Sequence, residues 1–230
     1  MNAETVADFA DFGVIAFTTT RDMGSFGTAS TEPVRDVMAR WDAVRGELAA
    51  KGVTRLATAA QVHGARVQLH DGEWRGWLRG PAADGHASLS RGTALAVTIA
   101  DCVPVFIAHP SGAVALLHSG WRGTAARIID EGIAVLTRAG LRAGDLRVHL
   151  GPAVCGRCYE VSADVFKQVT GRDVTGPTLV DLRDAIASRA REMGVERVTV
   201  SKLCTKHNND RFFSHRAGDP GRQIALIAAT

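Results

Sequence analysis

The 230-residue chain has no block of lysine or arginine, no basic start followed by an apolar segment, no apolar run of membrane-spanning length and no linker, repeat or low-complexity tract. Each absence excludes something. A formal charge of +3, with basic residues scattered among acids, leaves no stripe for a nucleic acid backbone. The N-terminal "MNAETVADFADFGV" lacks the pattern of a signal peptide, and a membrane helix needs about 18 consecutive apolar residues. These features predict a soluble, cytoplasmic protein with no nucleic acid or membrane partner. With only four cysteines in a reducing compartment, thiols, ligands or nucleophiles are expected rather than disulfides. With no linker to divide it, residues 1–230 are expected to form a single domain around one sizeable core.

What is present alternates between helix and strand. "STEPVRDVMARWDAVRGELAAKG" places Val34, Val37, Met38, Trp41, Val44 and Leu48 at helical spacing, with Ser30 or Thr31 as cap and a stop near Gly52. "TRLATAAQVH" and "ARVQLH" are expected strands flanking Gly64, and "TALAVTIA" and "VPVFIA" are β-branched runs typical of strands buried on both faces. A helix is predicted from Thr124 to Gly140, then a strand in "DLRVHLGPAV", a short helix in "SADVFKQV", a longer one in "VDLRDAIASRAREMG", and late strands in "ERVTVSKLC" and "RQIALIAA". "GEWRGWLRGPAADGH" reads as a surface loop whose Trp74 and Trp77 shield a pocket or pack on the scaffold. Interleaved elements with a hairpin at Pro110 predict an α/β fold, specifically a mixed-sheet sandwich rather than a doubly wound parallel sheet.

Two reactive residues interrupt the apolar runs of that hairpin. A turn centred on Pro110 and Ser111 places Cys102 opposite Ser119 and His118 opposite Val103, making Cys102 and His118 diagonal neighbours about 7 Å apart or less. "SGWRG" then feeds a helix, so its amides and Arg122 can hold an anion, although a glycine loop is also an ordinary connection. His63 ends an earlier strand just before Gly64. His63, Cys102 and His118 together have the composition of a catalytic zinc site with one open position. Cys102 as a nucleophile with His118 as its base is the competing arrangement.

A second set, "CGRCYEV" and "CTKH", gives Cys155, Cys158, Cys204 and His207 the form of a Cys3His structural zinc site, against a plain packing role for the cysteines. His70, His86, His109, His149 and His215 each lack a second feature and read as surface or core residues. Tyr159 either contacts substrate or covers Cys158.

"QVHGARV", "ADGHASLSRGTALAVTIADCVPV", "LLHSGWRG", "LGPAVCGRCYEV" and "FFSHRAGDPGRQ" resemble, in order and over nearly the whole chain, the YfiH/laccase-domain family. The resemblance implies a layered α/β/β/α fold, related to the toxin deamidase domain, and zinc held by His63, Cys102 and His118. It also implies phosphorolysis of adenosine, inosine, guanosine and methylthioadenosine, with deamination of adenosine. Purine nucleosides and phosphate are then the partners. The substrate- and phosphate-binding candidates are Arg21, Gln61, Trp121, Arg122 and Arg216, with Asp84 and Asp101 as proton carriers. The family's two-arginine C-terminal pattern becomes "SHRAGD" here, so Arg216 matches and the second arginine does not. The family also carries a multi-copper oxidase label, but none of the eight histidines forms a His-x-His pair, so copper is the less suited metal. A zinc or cysteine amidohydrolase acting on peptidoglycan precursors is the remaining alternative.

Overall fold

Apolar strands that alternate their side chains need cover on both faces, and here a second sheet supplies one cover and helices the other. The computed structural model describes residues 2–28 and 32–230. In chain order its strands are β1 (Ala3–Thr5), β2 (Val14–Thr19), β3 (Arg55–Ala59), β4 (Val67–Leu69), β5 (Gly76–Gly80), β6 (Gly85–Ser88), β7 (Thr93–Ile99), β8 (Val103–Ala108), β9 (Val114–Ser119), β10 (Arg147–Leu150), β11 (Glu160–Val161), β12 (Thr178–Leu179), β13 (Arg197–Val200) and β14 (Gln223–Ala229). The helices are α1 (Val34–Ala49), α2 (Trp121–Ala125), α3 (Ile128–Arg138), α4 (Ala163–Thr170) and α5 (Leu182–Glu192). The first sheet has the order β1-β2-β14-β7-β3-β5 and the second β13-β10-β8-β9-β6-β4, while β11 and β12 pair separately. Both sheets are mixed: β3 runs parallel to β7, and β10 parallel to β13, beside antiparallel neighbours.

The layers follow from the alternation. Leu95, Val97 and Ile99 of β7 and Phe106 and Ala108 of β8 meet between the sheets. Ala94 and Ala96 face the other way, onto Val37, Trp41, Val44 and Leu48 of α1. Val103, Val105 and Ile107 of β8 face Ile129 and Ile133 of α3 and Ile186 and Ala190 of α5. The result is the expected α/β/β/α stack.

Three local expectations need correction. The β8–β9 hairpin pairs Val103 with Ser119 and Pro104 with His118, one residue away from the register of a two-residue turn. The cause is a three-residue loop: the His109 N–H donates to the Ala113 carbonyl, and Gly112 takes φ +93°. A one-residue slip reverses which face a side chain occupies, and the longer loop is what puts position 102 opposite Gly120, on the same face as His118. The helix expected from Thr124 begins instead at Trp121 and breaks at Arg127, whose φ is +58°. Within the expected loop, residues 76–80 form β5, where Trp77 packs at 4.7 Å on Trp41. The candidate caps Ser30 and Thr31 lie outside the described residues, and Pro33 directly precedes α1.

Between the sheets lies a histidine pair. His70 and His86 are buried, with His70 Nε2 3.0 Å from His86 Nδ1, and His86 Nε2 has no partner among the described residues. Burial, and then the neighbouring His70, hold His86 down at about 3. The unfolded chain binds a proton below about 6.5 where the folded one does not, so stability rises with pH across that interval and is lost on acidification. Urea unfolding between pH 6 and 4 is expected to lose about 1.4 kcal/mol per pH unit from this residue alone. His86→Gln is expected to flatten that slope.

Candidate active site and metal centre

The chain crosses from the first sheet to the second between β3 and β4, between β5 and β6 and between β7 and β8, and the first and last of these crossings meet. His63 lies on the β3–β4 crossing and Cys102 on the β7–β8 crossing. His118 projects from the end of β9 beside them. Their ligand atoms all lie within 4.8 Å of one another, a spacing that can hold a metal ion, and the two imidazole rings meet edge to face at 4.8 Å. The three sequence candidates are therefore together. Backbone strain concentrates here: His63 has φ +60° and Asp101 has φ +83°, two of the three left-handed residues other than glycine among those described.

Asp84 explains how His63 sustains that conformation. Its fully buried carboxylate accepts from the amides of Val62 (3.1 Å), His63 (2.9 Å) and Gly64 (2.7 Å), three successive donors that form a concave anion nest. The fourth position binds His118 Nδ1 at 2.8 Å. Each oxygen thus carries two bonds, which fills a carboxylate's capacity. Burial pushes the Asp84 carboxyl up, but hydrogen bonds from His118 and from the Gly64 and Val62 amides outweigh it and keep it below its usual range. A saturated carboxylate outside the cavity does not suit the expected proton carrier; Asp84 fixes the His63 loop and leaves His118 Nε2 for the centre.

Cys102 and His118 set each other's charge. Burial raises the Cys102 thiol, and the His118 charge together with hydrogen bonds from His118 and His63 brings it down to about 6. Burial lowers His118, while Cys102 and Asp84 raise it to about 9. Each group therefore favours the charged form of the other, a thiolate beside a protonated imidazole. That pairing suits nucleophilic attack directly, whereas a metal would bind the thiolate and displace the proton from His118 Nε2.

Gly120 gives this cluster its space. A Cβ there would lie 3.0 Å from Cys102 Sγ and 3.2 Å from His63 Cδ2. Gly120→Ala is expected to displace both side chains while leaving the strands intact. Turnover should fall by about 10²-fold, the cost of roughly 1 Å of misplacement, with little change in the thermal midpoint.

A cavity of about 540 Å³ opens onto the cluster, lined by His63, Asp101, Cys102, Trp121, Arg122, Tyr159, His215 and Arg216 among others. Its size and mixed lining are those of a small-molecule site. Arg122 stacks over Trp121 at 4.4 Å and Arg216 over Tyr159 at 4.7 Å. Asp101 accepts from Thr205 Oγ1 at 2.5 Å and from the Arg216 amide at 2.7 Å, so each of its oxygens keeps acceptor capacity.

Two expected substrate residues are elsewhere. Arg21 binds Asp219 at 2.8 Å and the carbonyls of Asn209 and Phe212, so its charge is already matched. Gln61 clasps Thr98 through both ends of its amide and lines a different cavity. His215, read from sequence as an ordinary histidine, is in the wall, and its ring makes no hydrogen bond among the described residues. Its position next to Arg216 was the available clue.

The chain is similar to known proteins over most of its length. The model of the family described as multi-copper polyphenol oxidoreductase laccase matches residues 18–230. The purine nucleoside phosphorylase ORF3 of Streptomyces griseus is 34% identical over 175 residues, covering 73% of this chain and 71% of its own. The purine nucleoside phosphorylase SCO2081 of Streptomyces coelicolor is 34% identical over 193 residues, covering 79% of each. The crystal structure of YlmD from Geobacillus stearothermophilus superposes with a TM-score of 0.85 at 29% identity, covering 95% of this chain and 93% of that one.

Proposed function

We propose, for a chain that belongs to the family described as multi-copper polyphenol oxidoreductase laccase, that it is a zinc-dependent purine nucleoside phosphorylase. Adenosine, inosine, guanosine and methylthioadenosine are the proposed substrates, with deamination of adenosine as a second activity. The observation that carries the reading is the convergence of His63, Cys102 and His118 on a cavity walled by two aromatic rings and two arginines. The relatives named as purine nucleoside phosphorylases support it.

The donor set fits zinc. Two imidazoles and one thiolate are its usual ligands, and a histidine whose other nitrogen is held by a carboxylate is the usual way of aiming such a ligand. His118 on Asp84 has that arrangement at 2.8 Å. Held by His63, Cys102 and His118, zinc would supply a Lewis acid. Among the described residues the other ligand cluster is rich in sulfur, which does not suit the histidine-rich copper cluster of an oxidase.

The remaining work falls to the chain's own groups. In phosphorolysis a phosphate oxygen forms a bond to C1' of the ribose, while the C1'–N9 bond breaks and its electron pair leaves with the purine. Arg122 and Arg216 supply the charge that holds phosphate against C1'. Trp121 and Tyr159 offer flat faces to the purine. His215 can deliver the proton that the departing base requires, and Asp101 can accept one in deamination.

Purified protein incubated with adenosine tests this directly. Adenine released only when phosphate is present is expected, with inosine as the product of the second route. No base release in any phosphate buffer would end the phosphorylase reading. Arg122→Ala is expected to raise the KM for phosphate about tenfold or more, through loss of a charge-assisted contact, with a smaller effect on the KM for nucleoside.

One observation favours a second reading. Cys102, His118 and Asp84 line up as nucleophile, base and orienting carboxylate, the arrangement of a cysteine amidohydrolase. His63 is neither nucleophile, base nor orienting group in that scheme, which is how the two are separated below.

A further inference from the structure

A second cluster of ligand-type side chains lies beside the cavity without forming part of its lining. Cys155, Cys158, Cys204 and His207 place their ligand atoms within 4.8 Å of one another. His207 Nε2 is 3.3 Å from Cys158 Sγ, and His207 Nδ1 is 3.7 Å from Cys155 Sγ. The four come in two pairs with identical spacing, Cys-x-x-Cys and Cys-x-x-His. Each pair sits on a tight turn. The Cys158 amide donates to the Cys155 carbonyl at 2.9 Å, and the Asn208 amide to the Cys204 carbonyl at 2.9 Å. The two turns are tied together by a bridge between Ala153 and Cys204, and the Cys155 amide donates to Cys204 Sγ at 3.3 Å. An amide aimed at a sulfur stabilises the thiolate form that a metal requires. All four cysteines of the chain are free thiols, so the CxxC is not closed as a disulfide.

We propose that Cys155, Cys158, Cys204 and His207 bind a second zinc ion, structural in role, that fixes the wall of the cavity next to Cys102. Four protein ligands close a tetrahedral zinc site, leaving no position for substrate. Its effect on the cavity follows from the neighbours of the ligands. Val154, adjacent to Cys155, lines the cavity and donates its amide to the Asp101 carbonyl at 3.1 Å. Thr205, adjacent to Cys204, holds the Asp101 carboxylate. Tyr159, adjacent to Cys158, is in the lining and carries Arg216 on its face. The ion would thus join the two turns that hold Asp101 in its left-handed conformation, one residue before Cys102. The site stands whatever the cavity turns over.

The test uses the full chain in a Cys102→Ser background, so that its outcome does not depend on the first centre. One zinc per chain is expected to remain in that protein, and the added change Cys158→Ser is expected to abolish it. Cobalt loaded in place of zinc should give a thiolate charge-transfer band in Cys102→Ser that disappears in the double variant. Folded Cys102→Ser protein with no zinc overturns the proposal. An intact mass two hydrogens low, with Cys155 and Cys158 joined, overturns it too and makes the pair a redox couple. Should the double variant not fold, alkylation of the single variant decides: protection of Cys155 and Cys158 that a chelator removes supports the site, and rapid labelling without chelator refutes it.

Discussion

Asp84→Asn is expected to lower the free energy of unfolding by about 3–5 kcal/mol, the range for breaking a buried, fully hydrogen-bonded charge, and to reduce turnover by about 10–100-fold, the usual cost of losing a partner behind a metal ligand. The carboxylate is fully buried and makes four bonds, two at each oxygen. An asparagine keeps the shape but presents an NH2 at one of the two positions. Facing Val62 and Gly64, that group confronts two N–H donors. Facing His63 and His118, it confronts one backbone donor and forces His118 to accept at Nδ1, which moves the imidazole proton to Nε2 and spoils the nitrogen meant for the centre. Either orientation leaves at least one buried amide unpaired, at about 1–3 kcal/mol each. The left-handed His63 then has nothing to hold it. Chemical denaturation and steady-state rates check both halves. An unchanged midpoint would show that the nest does not carry the loop, and an unchanged rate would remove Asp84 from the positioning of His118.

That network also marks where the sequence stops being informative. The central strands β7, β8 and β9 are legible because they are unbroken, β-branched and too apolar for a sheet with a wet face. The convergence of Cys102 and His118 is legible in kind, since both lie at the open end of one hairpin. Its register is not: Pro110, Ser111 and Gly112 are compatible with either loop length, and only the left-handed Gly112 decides. The β5 strand has glycine at both ends and the exposed Arg79 between them, so it carries no alternation; it exists because β3 offers a parallel edge and Trp41 a surface for Trp77. The surroundings of Arg21 are hidden for a similar reason. Its partners Asn209, Phe212 and Asp219 are nearly two hundred residues away, and nothing local records them. Asp84 reads as a candidate acid until the left-handed His63 is known, and only then do three amides turn toward it.

His63→Ala is expected to cost about 10³-fold in turnover, the several kcal/mol that a Lewis acid contributes to a transition state, and to release one metal ion per chain, while changing stability by only about 1 kcal/mol. The small stability effect follows from position. The side chain is exposed, its backbone is held by Asp84 through the amide, and the remaining penalty is that of alanine in a left-handed conformation. The large activity effect separates the two chemistries the site permits. A thiolate beside an imidazolium, backed by a carboxylate, is the unit of nucleophilic catalysis, and His63 contributes to it only by helping to lower the Cys102 thiol. A metal centre made of His63, Cys102 and His118 is incomplete without it. Loss of one metal ion per chain together with activity in His63→Ala, and again in Cys102→Ser, is the outcome the metal reading requires. Retained turnover in His63→Ala protein that has lost this ion, abolished by an alkylating reagent that labels Cys102, would transfer the chemistry to the thiolate. In that case Trp121, Tyr159 and the two arginines would have to be read as the recognition surface of an amide substrate instead of a nucleoside and phosphate.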